Sequence, residues 1–286
     1  MIIDSHSHAW PLWPYQPPVP DDAHRGKLEQ LLNEMDLNGV DQAMIVCAQI
    51  DRNSRNNAYV AGQIARFPNR FHQIVDLDSE WSATYHQPGS ASRLQAMMDE
   101  WPIKGFTHYI AQSDDGAWLH SDEGQRVFKI AEKHHLIVSL STYTHHQPAI
   151  RRAAEMFPTV PILIHHMGWV KVDEAEPREG LRQVLESAKL PNIYLKFSGF
   201  AYATRTNWDY PYTDTHDIFR AEYEHFGAAR MCWGSDYPVV RFFMTYKQSL
   251  EAFRHHCTFI SEGDKAQILG GTLEKLLQAV NLPNRE

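Results

Sequence analysis

The chain has 286 residues, a formal net charge of −8, a pI of about 6.1 and 43% hydrophobic residues. That length suits one large domain or two small ones, with enough apolar residue for a sizeable core. No basic run or stripe exists to attract a phosphate backbone, which excludes a nucleic-acid partner, and no stretch approaches the roughly 20 apolar residues of a membrane span.

Eight short runs read as strands, near 2–6, 42–48, 71–77, 103–109, 136–142, 160–165, 193–198 and 230–235. Most carry Ile, Val, Leu and Phe on both parities, as strands buried on both faces should. The first closes with Asp4-Ser5-His6-Ser7-His8. Alternation along a strand points His6 and His8 the same way, roughly 6–7 Å apart. A ring-rich loop over 10–22 follows, with Trp10, Trp13 and Tyr15 among five prolines. Leu28, Leu31, Leu32 and Met35 then fall on one helical face. Further helices are expected near 53–67, 121–134, 178–189, 214–226 and 245–256. Another is opened by Pro148 and runs through Met156, and a last one is capped by Ser261 to Asp264. A second ring-rich loop, 205–214, carries Trp208, Tyr210 and Tyr212. Both loops follow strands and are expected to wall a pocket, or else an interface between copies in a homo-oligomer.

Strand-helix alternation repeated eight times predicts an α/β fold, a single (β/α)8 TIM barrel over 1–286, possibly slightly distorted, with a doubly wound sheet as the rival. The three cysteines, Cys47, Cys232 and Cys257, are odd in number and lack Cys-x-x-Cys spacing. They predict neither a disulfide framework nor a thiolate zinc site, and a reducing cytoplasm is the expected compartment. No apolar stretch of signal-peptide length opens the chain, Asp4 interrupting it early.

In a closed barrel the ends of strands six, seven and eight surround one point with His6 and His8. They read Ile164-His165-His166-Met167-Gly168, Lys196-Phe197-Ser198-Gly199 and Trp233-Gly234-Ser235-Asp236-Tyr237-Pro238. A carboxylate beside imidazoles can take a proton from water. Three histidines and a carboxylate also suit a hydrolytic Zn2+ site. His108 and Lys196 are candidates to contact a substrate carboxylate or hydroxyl; Trp13 and Tyr237 are the other substrate-binding candidates. The pairs His134-His135 and His255-His256 read as solvated helix positions, Cys232 as a small core residue, and the roles of His165 and His146 stay open.

The His-x-His at 6–8, the His-Met-Gly at 166–168 and the Trp-Gly-Ser-Asp-Tyr-Pro at 233–238 resemble the amidohydrolase superfamily. Tyr194-Leu-Lys-Phe-Ser-Gly199 and His146-Gln147-Pro148 resemble its amidohydrolase-related branch, which includes 2-pyrone-4,6-dicarboxylate lactonase and sugar-acid lactonases. The resemblance runs from His6 to Pro238. It implies a barrel fold, active-site roles for His6, His8, His166 and Asp236, and Asp236 as the base that activates water. The chain departs from the superfamily's binuclear members: strand four ends Gly105-Phe106-Thr107-His108 without their carboxylated lysine, Lys104 lying at the wrong end. Strand five offers Ser141, a poor zinc ligand. At most one divalent ion, zinc by preference, is expected on His6, His8, His166 and Asp236. Some lactonases of this branch work without metal, so it is dispensable to the reading.

The expectation is therefore hydrolysis of a lactone of a sugar acid or an aromatic-catabolism acid, a small-molecule carboxylate or sugar lactone being the partner. The alternatives are metal-dependent non-oxidative decarboxylation of an unsaturated or aromatic acid, and a non-catalytic ligand-binding barrel.

Overall fold

Eight parallel strands stand side by side in sequence order. They are β1 (Ile3–Ser7), β2 (Gln42–Val46), β3 (Phe71–Asp76), β4 (Gly105–Tyr109), β5 (Ile137–Ser141), β6 (Ile162–Ile164), β7 (Ile193–Phe197) and β8 (Met231–Trp233). The computed structural model describes residues 1–15 and 21–282. The edges meet just beyond β8, where His8 N–H donates to the Tyr237 carbonyl at 2.6 Å and Asp236 N–H to the His6 carbonyl at 2.7 Å. The expected (β/α)8 barrel is the fold, with all eight strands where the apolar runs placed them.

Outside the strands lie α1 (Leu28–Asn38), α2 (Asn56–Ile64), α3 (Ser90–Glu100), α4 (Asp122–His134), α5 (Gln147–Met156), α6 (Glu179–Ser187), α7 (Phe200–Ala203), α8 (His216–Phe226), α9 (Tyr246–Glu251), α10 (Glu262–Ala266) and α11 (Thr272–Ala279). Leu28, Leu31 and Met35 turn inward from α1 as their spacing requires, and Gly39 ends it at φ 66°. Ser261 caps α10 by accepting from Asp264 N–H. Two helices have no counterpart in the sequence reading. α3 buries Ser90, Leu94 and Met98, too thin an apolar face to stand out, and α7 is a single turn.

The barrel interior splits into two zones. At the N-terminal end Ile3, Met44, Ile74, Ile137, Leu163 and Cys232 form an apolar plug, closed from below by Leu273 and Leu277 of α11. Cys232 is thus the small core residue expected, and all three cysteines are buried and free. The C-terminal end is polar. His134 departs from its expected solvation: it is buried at the end of α4, its Nδ1 3.0 Å from the Asn281 carbonyl. No helix among the described residues is long and apolar enough to cross a membrane.

Candidate active site at the C-terminal end of the barrel

Simple alternation cannot put both Ile3 and His6 inside the barrel, since they are three residues apart. The structure resolves this with a bulge. Asp4 pairs with Ala43 and Ser7 with Ile45, so β1 spends one residue more than β2 over this stretch. Ile3 then faces the plug, while His6 and His8 both face the polar end. The two rings meet edge to face with centroids 4.9 Å apart.

Asp236 reaches the same point from beyond β8, on a left-handed residue (φ 59°). Its Oδ1 lies 3.5 Å from His6 Nε2 and 3.3 Å from His8 Nε2. Its Oδ2 accepts a short hydrogen bond from the Tyr202 hydroxyl. Burial pushes this carboxyl up, but His166, His8 and the Tyr202 hydroxyl outweigh burial and hold it below the usual carboxylate range. Asp236 is therefore an anion at neutral pH.

His166 arrives through an unusual turn. His166, Met167, Gly168 and Trp169 have φ of 48°, 55°, 69° and 61°, four left-handed residues in succession. The turn sets the His166 ring 4.6 Å from that of His6 and leaves its Nδ1 3.0 Å from Ser198 Oγ. His165 points to the interior as well, its ring 4.4 Å from His6 and its Nε2 2.7 Å from Ser139 Oγ. Beneath them Lys196 Nζ donates to Ser139 Oγ at 2.7 Å and sits 3.0 Å from His6 Nδ1. Burial lowers the Lys196 ammonium to about 7 and His166 to about 4. Burial, reinforced by Lys196, likewise lowers His6 and His165 well below the ordinary imidazole value.

These groups fit a divalent ion. His8 Nδ1 is 2.8 Å from the Val46 carbonyl, so it carries the ring proton and leaves Nε2 as an acceptor. That acceptor faces an ionised oxygen, and the His6 Nε2 near the same oxygen is buried without a hydrogen-bond partner among the described residues. Two acceptors face to face call for a cation or a proton between them. His6, His8 and Asp236 form one compact donor set, with two imidazole nitrogens and one carboxylate oxygen. The expected ligands fall into two overlapping groups that share His6: His8 and Asp236 complete one, His165 and His166 the other.

The amidohydrolase family model matches residues 3–278. The chain belongs to the amidohydrolase family. It is 23% identical over 283 residues to an L-fucono-1,5-lactonase of Burkholderia ambifaria, covering 94% of this chain and 92% of that protein. The uncharacterized protein y4mH of Sinorhizobium fredii is 25% identical over 181 residues, and that match spans only 60% of either chain. Among solved structures, an amidohydrolase of Burkholderia multivorans with bound zinc has a TM-score of 0.79 at 18% identity, over 99% of this chain and all of that one. A Pseudomonas putida protein assigned as a 2-pyrone-4,6-dicarboxylic acid hydrolase has a TM-score of 0.75 at 18% identity, over 97% of each chain. At these identities the structural likeness establishes the fold.

Several expected substrate contacts of this amidohydrolase lie elsewhere. His108 faces outward from β4, stacked on Trp118 at 4.5 Å with Nδ1 on the Leu77 carbonyl, because Phe106 and His108 share the outer parity. The β4 residue that reaches the site is Tyr109, whose ring meets His165 at 5.3 Å. Tyr237 packs on Tyr246 at 5.8 Å in the outer core. Trp13 is buried against Trp10, Tyr15 and Phe242, one ring removed from the imidazoles. Lys196 is in the cluster and fully buried, where it touches His6 and Ser139. The second ring-rich loop does not wall the site: Trp208 is 82% exposed, and Tyr210 and Tyr212 pack on each other. The first loop is described to Tyr15; its residues 16–20 lie outside the described residues. His146 serves its own loop, accepting from Tyr143 N–H and meeting the Asp114 carbonyl. Tyr202 and Tyr109 were missed in the sequence because neither sits in a histidine or acidic motif.

Proposed function

We propose that this chain hydrolyses a lactone, with Asp236 as the base that activates water. The observation that carries the reading is the buried, ionised Asp236 carboxylate whose Oδ1 lies within 3.5 Å of the Nε2 atoms of both His6 and His8. Tyr202 occupies Oδ2, so Oδ1 is the oxygen left to take a proton from water. The water attacks the lactone carbonyl, and the new oxyanion is stabilised at the histidine edge of the site, where His166 offers Nε2 while Ser198 holds Nδ1. The ester C–O bond breaks, and Asp236 returns its proton to the leaving alkoxide, so one carboxyl serves both halves. A divalent ion on His6, His8 and Asp236, zinc by its donor set, would polarise the carbonyl and acidify the water.

Asp236→Asn keeps the size and removes the base. Turnover in a pH-indicator lactone assay should fall at least about 10³-fold, while calorimetric lactone binding stays within a few-fold. A near-wild-type rate removes Asp236 from the chemistry. The same assay separates the alternatives, because lactone opening releases acid, decarboxylation consumes a proton and releases CO2, and a binding module does neither.

A further inference from the structure

The turn after β3 is built around a buried carboxylate that the proposed chemistry does not use. Ile74 faces the apolar plug, so Asp76, two residues on, faces the polar end from the same side of the strand. Asn57 of α2 brackets its backbone: Asp76 N–H donates to Asn57 Oδ1 at 2.8 Å, and Asn57 Nδ2 donates to the Asp76 carbonyl at 3.0 Å. The side chain then gathers two loops. Its Oδ2 accepts from Gln49 N–H at 2.8 Å and from Trp81 Nε1 at 2.9 Å, and its Oδ1 accepts from Ser79 N–H at 3.3 Å. Burial lifts this carboxyl to about 6, against the pull of Ser79, Gln49 and Trp81.

Residues 79–81 hold Tyr109 on three sides. Tyr109 N–H donates to Ser79 Oγ at 3.1 Å, and Glu80 N–H donates to the Tyr109 carbonyl at 3.1 Å. The Trp81 ring packs on the Tyr109 ring with centroids 4.6 Å apart. The Tyr109 hydroxyl makes no hydrogen bond among the described residues, so ring contacts and backbone place this side chain. Tyr109 in turn meets His165 edge to face at 5.3 Å, and His165 meets His6 at 4.4 Å. An unbroken run of contacts therefore leads from Asp76 to His6, one of the two histidines beside Asp236 Oδ1.

The indole N–H gives this run its direction. An aromatic pair alone tolerates sliding and rotation, whereas a hydrogen bond to a buried carboxylate on a bracketed backbone fixes the indole in one orientation. We infer that Asp76 is a positioning residue of the active site, acting through Trp81 and Tyr109 to hold His165 and His6 in line with Asp236. This rests on the chemistry proposed above for Asp236 and names the support it receives from β3 and β4.

The test breaks one link from either side. Trp81→Phe keeps a ring beside Tyr109 and removes the N–H; Asp76→Asn keeps the size and puts a donor where Trp81 needs an acceptor. With a lactone that the wild type opens, each should lower kcat about 10-fold with KM within about 2-fold, because a small misplacement of reacting groups costs rate and not affinity. The double variant should be no slower than Asp76→Asn alone, both changes having cut the same bond. An effect on KM alone, wild-type kcat in Trp81→Phe, or losses that multiply in the double variant overturn the inference and leave the lactonase reading standing. A second readout needs no turnover. In 15N-histidine-labelled protein the His165 ring signals, assigned by their loss in His165→Gln, should shift in Trp81→Phe. Signals that stay in place overturn the inference even where activity falls. If the wild type opens no lactone, the lactonase reading fails and the His165 signals alone decide. If Asp76→Asn does not fold, Trp81→Phe carries both readouts.

Discussion

Tyr202 is the residue that converts Asp236 from a buried carboxylate into a directed one. Its hydroxyl holds Oδ2 and its ring stacks on Trp169, so Oδ1 alone faces His6 and His8. Tyr202→Phe keeps the stack and frees Oδ2. Steady-state kinetics should show kcat down about 10–100-fold with KM nearly unchanged, as for other groups that orient a reacting carboxylate; a KM-only effect would make Tyr202 a substrate contact instead. At this scale the sequence was legible where chemistry and spacing coincide. His6, His8 and Asp236 come together as expected. It was not legible where strand phase decides. Phe106-Thr107-His108-Tyr109 carries residues suited to the interior on both parities, and only packing against neighbouring elements selects Thr107 and Tyr109 over Phe106 and His108.

The turn from His166 to Trp169 stores strain to aim two rings at one place. Three of the four left-handed residues, His166, Met167 and Trp169, are not glycine and cost free energy that surrounding packing must offset. Gly168 is the tight spot: at φ 69°, a Cβ added there would lie 2.6 Å from Val184 Cγ2 of α6. Gly168→Ala should destabilise by about 1–3 kcal/mol in denaturant titrations. α8 holds a different kind of strain. Both carboxylate oxygens of Glu222 are buried without a partner among the described residues, and burial raises its pKa well above 4.5. The folded chain thus keeps a proton that the unfolded chain releases. Its stability contribution is full below the unfolded value near 4.5 and is lost as pH rises above it. Relative to Glu222→Gln, the wild type should lose stability as pH rises above the unfolded value near 4.5, read by urea unfolding at each pH; parallel curves would refute the assignment. Neither feature is visible as a pattern, because a left-handed turn and an unpaired carboxyl are properties of surroundings.

Closure of the barrel is what brings the two ends of the chain into one site. Asp4 fastens it, accepting from Ser235 N–H at 2.9 Å, Ser235 Oγ at 2.5 Å and the Tyr246 hydroxyl at 3.1 Å. Asp4→Ala leaves these buried donors without their acceptor. It should cost about 3–5 kcal/mol of unfolding free energy, and activity should fall with it because Ser235 adjoins Asp236. Loss of stability with full activity would separate closure from catalysis. The α11 plug works at the other end, keeping the barrel floor dry beneath a polar top.

The sequence by itself determined the eight-fold alternation, the barrel it implies, and the candidate residues for acid–base and metal-ligand chemistry. Those are local facts: apolar runs of strand length and histidines at a fixed spacing after them. Tertiary structure decided the rest. The β1 bulge turned His6 and His8 inward, β4 presented Tyr109 in place of His108, burial sealed Lys196 beneath the site, and α7 delivered Tyr202 to Asp236. Each outcome depends on which face of an element meets its neighbours, and that is fixed by packing across the whole barrel and not by any short stretch of chain.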